Sequence, residues 1–216
     1  MAVPAVEPTP VSPERLPELL ADLIVGADPA LRLRVAVDGA PAASPDTLAD
    51  ALADLLRVRG RTAIRVRATD FLRPASVRLE HGRTDPESYR TGWLDAAGLR
   101  REVLDPFALT GRYLPTLWDA GLDRATRARH ARTPEGAVLL LDGPLLLGTG
   151  LPFDFAIHLR LGAAALSRRT GEAARWTLPA YARYDGERHA DVVVRWDDPR
   201  HPAVQVRSDR PASGDG

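Results

Sequence analysis

Leu31 to Asp50 reads LRLRVAVDGAPAASPDTLAD, and the fold is decided there. Val35, Ala36 and Val37 make a short apolar run, Asp38-Gly39 ends it, and Ser44-Pro45-Asp46 opens a helical stretch. Strand, small-residue loop and helix in that order is the layout of a phosphate-binding loop. The motif asks for Gly, four residues, Gly, Lys, and Ser or Thr. Here Gly39 is followed by Ala40, Pro41, Ala42 and Ala43. Ser44 then stands at the second Gly, Pro45 at the Lys and Asp46 at the Ser or Thr. The outline of the motif is kept while the residues that grip a triphosphate are replaced. The replacements also make a good helix start without any ligand: Ser as N-cap, Pro at the first helical position, and Asp at the positive end of the dipole.

The pattern continues outward on both sides. Ser12-Pro13-Glu14 predicts a helix start, and Leu16, Leu19, Leu20, Leu23 and Ile24 follow at helical spacing. A second helix is expected from Pro45 to Arg59, with Leu48, Leu52, Leu55 and Leu56 on one face and Gly60 closing it. Strands are expected at Leu31 to Val37, Thr62 to Ala68, Ala137 to Asp142, Phe155 to Leu161 and Asp191 to Arg195. The run AVLLLD at 137–142 has the unbroken apolar character of a buried parallel strand. Helices are expected at Leu94 to Leu104 and Gly162 to Arg169, and residues 72–90 are polar and Arg-rich. Strands alternating with helices imply a parallel sheet covered on both faces. Residues 1–11 read as a disordered Pro-rich tail, 12–203 as one domain and 204–216 as a second disordered tail.

Composition narrows the function. The chain has 216 residues, no Cys and a formal net charge of +0. Disulfides and Cys-ligated metal sites are excluded, and neither a nucleic acid nor a membrane surface is the expected partner. A cytoplasmic protein is the expectation; the oligomeric state is not legible. The 29 basic residues are all Arg, so no Lys from elsewhere can replace the one missing from the loop. Any cationic grip on phosphate must come from Arg, which binds as a fork. His81, His130, His158, His189 and His201 have no metal-ligand spacing.

Several segments, in order, resemble the uridine kinase-like family of P-loop nucleoside kinases. VAVDGAPAASPDTLADAL is similar to its first strand, loop and helix. RATDFLRPASVRLEHGRTDPESY is similar to its Asp-x-Phe segment, and GRYLPTLWDAGLDRATR to its base-binding loop. AVLLLDGPLLL resembles its strand ending in an acidic residue, LSRRT a shortened arginine-bearing lid, and HADVVVRWDDPRHP its last strand. The resemblance covers about Arg34 to Pro202. It implies an α/β, three-layer P-loop NTPase-like fold with a mainly parallel five-stranded sheet. It further implies an ATP-dependent phosphotransferase acting on a nucleoside or similar hydroxyl compound, with ATP and Mg²⁺ as cofactors and nucleoside and nucleotide as small-molecule partners.

The resemblance places the site residue by residue. Gly39, Ala40, Ala42, Ala43, Ser44 and Thr47 would line the phosphates, and Thr47 and Asp142 would hold Mg²⁺. Asp70 would accept the proton of the attacking hydroxyl, although the family's carboxylate position falls on Thr69. Arg168 and Arg169 would stabilise the moving phosphoryl group. Arg73, Trp118, Asp119 and Arg124 would bind the substrate, with Trp118 stacking on the base. Pro45 and Asp46 support an alternative, a non-catalytic relative that binds a nucleoside, a nucleotide or a protein partner.

Overall fold

The computed structural model of the chain describes residues 7–26 and 28–207. Seven strands form one sheet: β1 Thr9–Pro10, β2 Leu33–Gly39, β3 Ala63–Arg67, β4 Val138–Gly143, β5 Phe155–Arg160, β6 Val192–Arg195 and β7 Ala203–Val206. Their spatial order is β1-β7-β6-β5-β2-β4-β3. The five strands from β3 to β6 are mutually parallel, and β7 and β1 extend the sheet antiparallel at one edge. The expected five-stranded parallel sheet is therefore present within a larger one. Two strands went unforeseen because each is short and flanked by Pro, so neither carries an apolar run. Thr9–Pro10, within the expected first tail, pairs with Ala203–Val204. β7 likewise reaches into the expected second tail. Residues 1–6 and 208–216 of those tails lie outside the described residues.

Burial on both faces explains the apolar strands. On one face, Val35, Val37, Leu140 and Ile157 pack with Leu16, Leu20 and Ile24 of α1 (Arg15–Val25) and with Leu48, Leu52 and Leu56 of α2 (Pro45–Val58). On the other, Ala36, Leu139, Leu141 and Ala156 pack with Phe71, Leu99, Val103 and Phe107. Two short helices, α3 Ala75–Arg78 and α4 Pro86–Thr91, come first in the chain, and the second face is covered through α5 Ala96–Leu99 and α6 Asp105–Thr110. A π-turn at Arg100–Leu104 joins the last two, so the helix expected to stop at Leu104 continues. Pro106 has no N–H to give Glu102, whose carbonyl accepts the Leu114 N–H instead (2.9 Å). The chain then forms small ribbons, pairing Arg112–Tyr113 with Ala131–Arg132 and Trp118–Asp119 with Arg124–Ala125. After β5 come α7 Ala163–Arg169 and α8 Leu178–Ala182.

Two glycines fix how closely the strand ends approach. A Cβ on Gly39 would lie 3.0 Å from that of Leu159, and one on Gly143 would lie 2.5 Å from that of Ala68. The C-terminal ends of β2, β3, β4 and β5 thus converge, and parallel α/β sheets bind ligands outside such ends.

Leu52 is fully buried between α2 and the sheet, whereas Val58 on the same helix is 85% exposed. Leu52→Ala is expected to lower stability by about 2–5 kcal/mol. Val58→Ala is expected to stay within about 0.5 kcal/mol of the wild type. Urea unfolding followed by circular dichroism measures both.

Candidate functional site

The loop after β2 has the outline the sequence predicted and different internal bonding. Pro41–Ala43 is a 3₁₀ turn. The Ala43 N–H donates to the Ala40 carbonyl (2.8 Å) and the Ser44 N–H to that of Pro41 (3.0 Å). Pro41 and Pro45 have no N–H to offer. From Pro41 to Asp46, only the amides of Ala42 and Asp46 remain for a ligand, whereas a phosphate loop works by pointing several amides at the anion. Ser44 takes the left-handed conformation (φ 53°, ψ 56°) and makes no capping hydrogen bond. The expectation of Ser44 as a side-chain cap is therefore corrected. That backbone conformation favours glycine and costs about 1–2 kcal/mol for a residue with a Cβ. Thr47 and Asp46 are exposed on the first turn of α2.

Asp142 stands at the end of β4, the position from which a carboxylate would organise Mg²⁺, but it already has a cation. Arg65 of the adjacent β3 donates Nη2 to Asp142 Oδ1 at 2.5 Å and Nη1 to Asp50 of α2. The side chains of Arg65 and Asp142 are 12% and 6% exposed. Burial pushes the Asp142 carboxyl above its ordinary range, and the adjacent Arg65 opposes that shift; Asp46 lies close enough to raise it further. ATP and Mg²⁺ do not fit these residues. The carboxylate expected to organise the metal is taken by an arginine, Asp46 would add negative charge beside the phosphates, and the loop has few free amides. Among the described residues no cluster of three or more His, Asp or Glu could hold a metal ion.

Beside the loop is a cavity of about 470 Å³. Its wall includes Pro41, Thr69, Arg73, Tyr89, Trp93 and Tyr184. Thr69 lines it and Asp70 does not, so the side chain facing the cavity at this strand end is a hydroxyl. Asp70 lies in the 3₁₀ turn Ala68–Phe71, where burial raises its carboxyl, Arg67 opposes the shift and Asp119 adds to it. Arg73 lines the cavity, and no group of the described residues bonds its guanidinium. Trp93 belongs to an aromatic cluster with Tyr89 (5.1 Å between centroids) and Trp176 (5.6 Å), and Arg78 lies 5.1 Å from its ring.

The other expected substrate residues lie elsewhere. Trp118 lines neither this cavity nor the second one described below. Its Nε1 donates to Asp123 (3.1 Å), which also accepts the Ala75 N–H and so docks the ribbon on α3. Asp119 caps the ribbon's turn through the amides of Gly121 and Leu122. Arg124 is exposed on the same ribbon. Of the lid pair, Arg169 is engaged, donating to the carbonyls of Trp196 (2.9 Å) and Asp197 (2.6 Å). Arg168 is exposed and bonds nothing among the described residues.

No family model matches the sequence, and no curated protein matches it. Solved structures do. One titled as a possible uridine kinase from Bacillus stearothermophilus superposes with a TM-score of 0.66 at 19% identity, over 83% of this chain and 97% of that one. A second, provisionally named a fructose transport system kinase, from a Silicibacter species, gives 0.56 at 21% identity, over 79% and 89%. The fold is that of the uridine kinase-like P-loop kinases. On this P-loop-kinase fold, Arg65 and Trp93 occupy places the sequence did not single out, whereas Thr69, at the family's carboxylate position, is the residue that lines the cavity. Tyr89 and Trp93, four positions apart in the sequence, were the available signal for the aromatic wall.

Removing Arg65 leaves a buried carboxylate without its partner. Arg65→Met is expected to destabilise the fold by about 3–5 kcal/mol at neutral pH. The loss should shrink as the pH falls and Asp142 takes up a proton. The double variant Arg65→Met/Asp142→Leu should recover most of it, measured by urea unfolding at pH 7 and pH 5.

Proposed function

We propose that this chain is a binding protein on a P-loop-kinase fold. It holds a nucleoside or a similar hydroxylated ring compound in the cavity beside the loop, and it does not transfer phosphate by the standard magnesium-dependent route. The observation that carries this reading is the Arg65–Asp142 ion pair at 2.5 Å, which occupies the carboxylate that route requires. The cavity supports the ligand class. Its volume of about 470 Å³ falls within the range of small-molecule sites. Trp93 and Tyr89 offer aromatic surface to a planar ring, Thr69 offers a hydroxyl, and Arg73 an unpaired fork of donors.

A second reading keeps phosphoryl transfer and assigns the charge to arginines. Arg73 and Arg168 favour it, since both are unpaired among the described residues. In that reading Asp70 is the base, and nucleoside-dependent ATP turnover abolished by Asp70→Asn would establish it.

Calorimetric titration separates the two. Uridine is expected to bind saturably, and Trp93→Ala to weaken binding by about 1–3 kcal/mol, the usual contribution of an aromatic platform to a base. Arg73→Gln should weaken binding without changing the melting temperature. MgATP at millimolar concentration should give no heat; tight MgATP binding would overturn the binding-protein reading.

A further inference from the structure

A second cavity, about 520 Å³, lies on the opposite side of the loop, between the end of β5, α7 and α8. Its wall includes Ala40, His158, Leu161, Leu166, Ser167 and Tyr184. His158 faces it from β5, and behind His158 lies Asp38 of β2, directly opposite in the parallel register. Asp38 is fully buried. Its Oδ2 accepts from His158 Nδ1 at 2.6 Å and its Oδ1 from the Leu146 N–H at 2.8 Å. The Tyr184 hydroxyl also bonds Asp38, while accepting the Leu147 N–H at 2.8 Å.

A carboxylate can only accept, so the hydrogen of the histidine pair sits on Nδ1. That fixes the neutral imidazole in one tautomer and leaves the lone pair on Nε2. No group among the described residues bonds Nε2, and it is not among the buried polar atoms that lack a partner. It is therefore reachable from the cavity that His158 lines. A buried carboxylate orienting an imidazole whose other nitrogen is open is the arrangement of a general base.

We infer that this second cavity is a proton-accepting site, with His158 Nε2 as the acceptor and Asp38 as the residue that positions it, for a small neutral molecule with an apolar body and one hydroxyl. Leu161 and Leu166 receive the apolar body. The hydroxyl donates its hydrogen to the Nε2 lone pair, its O–H bond lengthening toward the ring nitrogen, and Asp38 balances the positive charge this builds on the imidazole. The other titratable groups around the cavity are committed: Arg160 pairs with Glu187 (3.0 Å), Asp185 with Arg188 (2.7 Å), and Tyr181 with Tyr89 (2.9 Å). Ser167 adds an aliphatic hydroxyl to those of Tyr181 and Tyr184 in its wall.

Long-range proton–nitrogen spectra of the ¹⁵N-histidine-labelled protein test this, with His158→Gln used to assign the resonances. Neutral His158 should carry its hydrogen on Nδ1, and phenol, the smallest probe of this class, should shift Nε2 saturably. A hydrogen on Nε2, or no response to phenol up to its solubility limit, overturns the proposal. In folded Asp38→Leu protein, where the carboxylate no longer accepts from Nδ1, the hydrogen of the neutral ring should move toward Nε2. A tautomer unchanged from the wild type also overturns the proposal, and if that variant does not fold, the wild-type tautomer and phenol response decide alone.

Discussion

A carboxylate without solvent exposure sits at the end of the central strand, and three donors from three separate segments converge on it. Burying such a group is costly unless its oxygens are satisfied. Asp38 meets that constraint by drawing in the turn after β4, the imidazole of β5 and the hydroxyl of Tyr184. Those segments would otherwise be independent surface connections. Bonded to one side chain, they take fixed positions around the strand ends, and the walls of both cavities follow from that arrangement.

The Arg65 ion pair acts in a similar way one strand over, with a different consequence for chemistry. It joins β3, β4 and α2 through Asp142 and Asp50. In doing so it places a cation of the chain itself against the carboxylate at the end of β4. Pro45 and Asp46 point the same way, since one removes a donor and the other adds an anion at the first turn of α2. The three changes are physically consistent with one another: a loop without a lysine and a strand end without a free carboxylate both remove the need for a bound triphosphate to complete the structure.

Much of the fold was legible because it depends on patterns local to the chain. The apolar runs at 35–37 and 137–142 are buried on both faces, Phe155 to Leu161 mixes buried with half-buried residues, and the leucines of α1 and α2 mark a helical stripe. The site was less legible because it depends on register between distant segments. Asp38 and His158 are 120 positions apart and Arg65 and Asp142 are 77 apart; nothing in either local sequence marks these partners. Trp118 and Trp93 are equally conspicuous in sequence, and only packing separates the one that pins a ribbon from the one that lines a cavity. The shift from Thr69 to Asp70 illustrates how one residue at a strand end changes which side chain faces inward.

Tyr184 lines both cavities, so its ring is a partition with a potential binding site on either face. Its hydroxyl is tied to Asp38 and to the Leu147 amide, which makes any displacement of the ring energetically visible on both sides at once. An occupant that presses the ring one way alters the space and the bonding available to an occupant of the other side. Thermodynamic linkage makes that influence reciprocal, with the same factor in each direction. Were both cavities occupied, this shared side chain is where heterotropic coupling between the two occupants would arise.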